Sequence, residues 1–273
     1  MASIWQKLGA WSGATENLAD WQLDGFAQVG GKWLVPVITN DSATGPYNSE
    51  HFEALKARVT PRGVRLGSWH NYFGEETPAQ FAAKVADFVH KHDAGPVFID
   101  AEASVQGNTK LSNIMLECRK AMPTRNLAVT TNSLNDSTVY NGRIEGVPPE
   151  LWKSAIDLGI RLTPQWYNSP AYGQRSNPWT TPDLNMAWLQ EHGDEDNLHE
   201  VDRPGHFAVP LSYVHCVTEV TGLEGASLEG ELHDLTTAKQ YGYTFGFSIY
   251  LLENMLEEDL PRLAEQANHL FLV

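Results

Sequence analysis

Eight short apolar runs alternate with amphipathic stretches along 273 residues. The runs read as strands buried on both faces, and no Gly-x-Gly-x-x-Gly turn follows any of them. Together these observations predict an α/β fold, a single-domain (β/α)8 TIM barrel over residues 1–273. One strand–helix unit per roughly thirty residues is the spacing of a barrel of ordinary size. A doubly wound open sheet would need a Gly-rich phosphate turn or a topological switch.

The expected strands are Lys7–Trp11, Trp33–Thr39, Gly63–His70, Pro96–Glu102, Leu127–Asn132, Ile160–Tyr167, Phe207–Tyr213 and Thr244–Tyr250. Pro96-Val97-Phe98-Ile99 is typical, an uninterrupted apolar run suited to a parallel strand covered on both sides. Between the strands, Ser49–Val59 reads as a helix with Asn48 or Ser49 as its cap. Pro78–Lys91 has Thr77 as cap and Pro at the first helical position. Phe81, Val85, Phe88 and Val89 then fall on one stripe at helical period. Thr109–Met122, Pro149–Leu158, Asp183–Glu191, Leu228–Tyr241 and Asp259–Leu270 follow the same pattern. The sixth connection, Asn168–Gly205, carries Pro170, Pro178 and Pro182 and the acidic run Gly193-Asp194-Glu195-Asp196. A loop of that length at the active end of a barrel is expected to be a lid or binding element.

Composition narrows the function. Thirty-four acidic against nineteen basic residues give a net charge of -15, which disfavours nucleic acid as a partner, since that affinity rests on clustered Lys and Arg. No apolar run approaches the ~18–20 residues of a membrane span, so no membrane insertion is expected. Met1–Gly13 has no continuous apolar segment and no small-residue cleavage site. The expectation is a protein made in the cytoplasm without a signal peptide, released by lysis or carried in a particle. Cys118 and Cys216 are too few for a disulfide framework or a zinc site and are expected to be buried and reduced.

Chemistry in a barrel sits at the C-terminal ends of the strands. The fourth end, Asp100-Ala101-Glu102, places two carboxylates two residues apart on one strand face, with Cα atoms roughly 6.5–7 Å apart. Carboxylates sharing a partly desolvated mouth push each other's pKa apart, leaving one protonated near neutrality. A protonated carboxyl can act as general acid toward a glycosidic oxygen while its partner orients it. The same Asp or Glu can also cap the next loop.

The other ends are rich in aromatic and amide groups. Trp69, Asn71, Asn132, Gln165, Tyr167, Tyr213 and Tyr250 suit a sugar, whose CH faces pack on rings and whose hydroxyls need polar partners. Each aromatic could instead fill the barrel or the helix layer. His70 reads as a base, a sugar contact or a buried hydrogen-bonded residue, and Asp41 after the second strand as a further carboxylate. His192, Asp194, Asp196, His199, Asp202 and His206 crowd the long loop without metal-ligand spacing, so neither a metal nor a cofactor is expected. There is no Gly-x-Ser-x-Gly elbow, and His215-Cys216 would point apart on a strand.

Gly67-Ser68-Trp69-His70 and Phe98-Ile99-Asp100-Ala101-Glu102 resemble the third and fourth strands of the family 25 glycoside hydrolases, lysozyme-type muramidases. Gln165-Trp166-Tyr167 is similar to a later aromatic strand of that family. The resemblance runs over residues 63–104 and implies that Glu102 is the general acid, Asp100 its partner, and a peptidoglycan-like cell-wall polysaccharide the substrate. The Asp-x-Glu end also resembles the family 18 chitinase strand, where the Asp orients a substrate acetamido group. The chain departs from family 25 at its first strand, which ends Trp11-Ser12 instead of in Asp, and at its last, Phe247–Tyr250, which lacks an acid. The alternative is therefore a catalytically inactive barrel that binds glycan or serves as a structural part of a phage tail, with other tail proteins or a second copy as partner.

Overall fold

The computed structural model describes residues 8–39, 49–101, 108–131, 139–140, 143–144, 154–155, 157–164, 213–216, 247–250, 252–257, 260–261 and 264. Its strands are β1 (Leu8–Ser12), β2 (Trp33–Thr39), β3 (Arg65–Leu66), β4 (Ser68–Asn71), β5 (Val97–Asp100) and β6 (Leu127–Thr131). They continue with β7 (Val139–Tyr140), β8 (Arg143–Ile144), β9 (Arg161–Pro164), β10 (Tyr213–Cys216) and β11 (Phe247–Tyr250). One sheet runs β10-β11-β1-β2-β4-β5-β6-β9, with β3 also on β2. Every pairing along it is parallel. Its two end strands, β9 and β10, approach to Cα separations within 8 Å, and the sheet curls into the expected (β/α)8 barrel.

The third barrel strand is β3 plus β4, interrupted at Gly67. The Gly67 amide donates to the Leu34 carbonyl at 2.8 Å while that of Ser68 donates to Pro96 at 2.9 Å. A Cβ on Gly67 would run into the Pro96 carbonyl oxygen, so the backbone crosses from one neighbour to the other where only glycine fits.

Alternation along the strands separates two cores. Trp11, Trp33, Val35, Val37, Trp69, Phe98 and Ala128 fill the barrel interior. Leu8, Ala10, Leu34, Ile38, Val97, Ile99, Leu127 and Val129 face the helices instead. Inside, the Phe98 ring lies 4.4 Å from Trp11 and 5.1 Å from Trp33. The Trp33 indole occupies the space a Cβ on Gly9 would need.

The outer layer carries α1 (Asp20–Gln28), α2 (Ser49–Val59), α3 (Pro78–His92) and α4 (Asn108–Ala121). The last three lie where the sequence puts them. Thr77 caps α3 reciprocally, its hydroxyl accepting from the Gln80 amide at 3.3 Å while Gln80 Oε1 accepts from the Thr77 amide at 3.0 Å. Phe81, Val85 and Val89 are buried along one face of α3. Arg119 near the end of α4 donates to the carbonyls of Met122, Pro123, Arg125, Leu158 and Gly159.

Three features depart from expectation. Helix α1 was not anticipated: no side chain at Ala19 caps it, Gln22 reaches back to the Ala19 amide instead, and Gly25 lies mid-helix. A Cβ on Gly25 would stand 2.5 Å from Leu260, so close packing requires the glycine. The seventh strand runs over Tyr213–Cys216, past the expected end at Tyr213; residues 207–212 of the expected run lie outside the described residues. The antiparallel pair β7–β8, with Val139 opposite Ile144, was also unforeseen. The expected helices Asp183–Glu191 and Leu228–Tyr241, and the loop 168–205, lie outside the described residues.

Candidate functional site

The mouth of the barrel is built where β4, β5, β6 and β9 end. Their register sets Asn71 beside Asp100, Asp100 beside Thr130, and Thr130 beside Thr163. Four polar residue positions therefore share one register level on adjacent strands, two residues beyond the level of Trp69, Phe98 and Ala128, a polar row in sequence. On β5, Phe98 belongs to the interior core and Asp100 follows it on the same face, roughly 6.5–7 Å nearer the C-terminal end. The half-buried Asp100 carboxylate accepts a hydrogen bond from Trp69 Nε1 at 3.2 Å.

Trp69 is 9% exposed, and its ring meets Trp11 edge-on at 5.2 Å with an interplanar angle of 83°. Tyr72, just beyond β4, anchors the following turn. Its amide donates to the Asp100 carbonyl at 2.9 Å and its hydroxyl to the Glu76 carbonyl at 2.6 Å. Its ring packs on Phe81 at 5.0 Å and under the Lys110 ammonium at 5.1 Å.

Two expected site residues lie elsewhere. His70 alternates with Trp69 and so faces outward, 2% exposed, its ring 5.6 Å from Phe88 of α3. Burial pushes its pKa down to about 3, and Nε2 has no hydrogen-bond partner among the described residues. It is a neutral group in the helix layer, not a base at the mouth. Tyr213 opens β10 instead of closing it: it pairs with Phe247, while Cys216 pairs with Tyr250 at the far end. Three residues of strand, about 10 Å, separate Tyr213 from the mouth level. Tyr250 does end its strand. Glu102, Asp41, Asn132, Gln165 and Tyr167 lie outside the described residues, as does the His- and Asp-rich loop.

Thr130 on β6 and Thr163 on β9, at the same register level as Asp100, are not among the residues the sequence singles out. Each stands two places before a residue the sequence singles out, Asn132 and Gln165, and only the register between strands reveals them. Glu253 lies three residues past the last strand. Its Oε1 accepts from the Gly13 and Ala14 amides, each at 2.8 Å. A carboxylate thus stands beside the end of β1, contributed by the C-terminal segment.

Among the described residues no group of three or more His, Cys, Asp or Glu is gathered in a way that could hold a metal ion. Cys118 is buried in the outer core and its thiol is pushed up to about 12 by burial, so it stays protonated near neutrality. No described helix is long and apolar enough to cross a membrane.

Fold and site together define a class: a closed parallel barrel with a tethered carboxylate at the inner end of its fourth strand. No protein-family model and no curated protein matches the sequence, but solved structures match the fold. The catalytic domain of a hyperthermophilic chitinase from Pyrococcus furiosus aligns with a TM-score of 0.65 at 11% identity, covering 98% of this chain and 97% of that one. A family 18 chitinase from Flavobacterium johnsoniae aligns with a TM-score of 0.61 at 12% identity, covering 97% and 94%. A sugar phosphate isomerase/epimerase from Parabacteroides distasonis gives 0.53 at 12% identity over 100% and 98%. At such identities the likeness is one of fold, and this fold hosts more than one chemistry.

Proposed function

We propose that the barrel hydrolyses glycosidic bonds in an N-acetylated, peptidoglycan-like cell-wall polysaccharide, with Glu102 as general acid and Asp100 as its partner. The observation that carries this reading is the placement of Asp100: inward-facing, half-buried and hydrogen-bonded at the end of the fourth barrel strand. Carboxyl chemistry on a sugar needs an ionised group held beside a protonated one in a partly desolvated mouth. The Glu102 carboxyl gives its proton to the glycosidic oxygen as the bond to the anomeric carbon breaks. Water supplies the new hydroxyl at that carbon, and its proton restores Glu102. Asp100 holds the acid or the substrate amide and offsets positive charge. Asn71 and Asp41 are assigned to substrate hydroxyls, with Asn132, Gln165, Tyr167 and Tyr250 as further sugar contacts.

A second reading is favoured by one observation: β1 ends in Ser12 with no acid of its own, and the Glu253 carboxylate beside it is engaged by backbone amides. In that reading the barrel binds glycan without cleaving it, or serves as a structural component of a phage tail or similar assembly. Reducing-end release from purified peptidoglycan and from chitin, by wild type and by Glu102→Gln, separates the two. Release by wild type alone supports the hydrolase. Retention on the insoluble glycan with no release by either supports the binding barrel.

A further inference from the structure

We propose that Trp69 is a positioning residue whose indole N–H holds the Asp100 carboxylate at the barrel mouth, and that it is not a platform on which sugar stacks. The proposal deepens the hydrolase reading above and takes its catalytic meaning from it. At 9% exposure Trp69 has almost no face left to offer a sugar ring. What it offers is a donor: Nε1 lies 3.2 Å from Asp100 Oδ2.

The direction of that donor is set from below. Trp11 packs edge-on against Trp69 at 5.2 Å and against Phe98 at 4.4 Å. Phe98 precedes Asp100 on the same face of the same strand. The donor and the strand carrying the acceptor thus rest on one aromatic support, which fixes the indole plane before any ligand arrives. The Tyr72 amide bonds the Asp100 carbonyl at 2.9 Å and locks the two strand ends together. A preset donor of this kind favours the ionised carboxylate and removes the reorganisation that would otherwise accompany charge development. The register neighbours of Asp100, Asn71 on β4 and Thr130 on β6, are uncharged. The acidic group next to it along the chain is Glu102. In the hydrolase reading, a donor that favours the ionised form at Asp100 leaves Glu102 to carry the proton a general acid needs.

Two readouts on the full-length protein test this. The first needs no activity: indole Nε1–H resonances and carboxyl carbon shifts are followed by NMR from pH 3 to 7. Trp69→Phe identifies its resonance among the nine Trp. The expected result is that the Trp69 Nε1–H shift moves with the titration of Asp100, that Asp100→Asn abolishes the movement, and that Trp69→Phe raises the Asp100 midpoint. The second is glycan hydrolysis, where Trp69→Phe should lower kcat about tenfold, the worth of one hydrogen bond to a charged group, with KM within about twofold. Coupled titration without turnover by wild type upholds the clamp and overturns the hydrolase reading. An Asp100 titration unchanged in a folded Trp69→Phe variant overturns the clamp, whatever the activity. A raised KM with unchanged kcat also overturns it, in favour of Trp69 as a sugar contact.

Discussion

The side-chain amide of Gln22 donates to the main-chain oxygen of Glu253 at 2.8 Å, across 231 positions of sequence. The same Nε2 reaches the Met255 carbonyl at 3.1 Å, and Oε1 accepts from the Ala19 amide at 2.9 Å. A single buried side chain on the first helix thereby fastens the segment that follows the last strand, and Glu253 returns the connection through Gly13 and Ala14. Gln22→Ala leaves two carbonyls, one buried and one partly buried, without their donor. The expected loss is about 2–3 kcal/mol, read as a lowered urea midpoint. A shift within error of wild type would mean that the C-terminal segment is held by its apolar contacts and the Glu253 carboxylate without Gln22.

His70 makes stability depend on pH. Its folded pKa, depressed by burial to about 3, lies below the ordinary 6.5. Above pH 6.5 the imidazole is neutral in both folded and unfolded chains and contributes no pH dependence. Below it the unfolded chain takes up a proton that the folded one refuses, so stability falls as pH drops from about 6.5 toward about 3. At pH 5 the loss from this one residue is about 2 kcal/mol. His70→Leu should flatten that part of the stability profile, and an unchanged slope in the variant would sink the assignment.

Arg119 gathers five main-chain carbonyls, those of Met122, Pro123, Arg125, Leu158 and Gly159, at distances from 2.7 to 3.3 Å. These groups end one helix and lead into β9, so the guanidinium caps one unit and ties it to the next. A lysine ammonium, with three donors on a flexible stem, does not match the planar fork. Arg119→Lys is expected to cost about 2 kcal/mol and Arg119→Met about 3 kcal/mol, seen as successive drops in melting temperature. Equal stability of the Lys variant and wild type would show that charge alone suffices.

Two glycines divide the barrel from within. Gly9→Ala forces a methyl group into the Trp33 indole, whereas Gly67→Ala meets the Pro96 main-chain oxygen. A side chain can be trimmed and a backbone carbonyl cannot. Gly9→Ala should therefore regain part of its lost stability when combined with Trp33→Leu, while Gly67→Ala should prevent folding with no second-site cure among side chains. Thermal melts of the two singles and the double decide this, and additive losses at Gly9 and Trp33 would contradict the packing described.

The barrel was legible because its strands are apolar on both faces and its caps are local. Thr77 and Pro78 announce α3, and Trp33–Thr39 is bounded as expected. Helix α1 escaped because its cap comes from Gln22 inside the helix, and because Gly25 answers to a leucine 235 positions away in sequence, Leu260. The β7–β8 pair carries its own local signal, Asn141-Gly142 between the two strands, a strong hairpin dipeptide. At the site, Asp100 was legible from the Asp-x-Glu pattern. The fate of its neighbours was not: whether Trp69 faces in and His70 out is a matter of strand parity relative to a barrel axis. That parity is set by the whole ring of strands, and a one-residue change reverses it.

The interior aromatic packing has a consequence for the shape of any substrate. Trp33, Phe98, Trp11 and Trp69 pack together inside the barrel below the level of Asp100, and a barrel interior filled by side chains is a core and not a tunnel. A polymer cannot be threaded through it, and whatever enters must leave by the same rim. A long chain can only drape across the opening or dip one end into it.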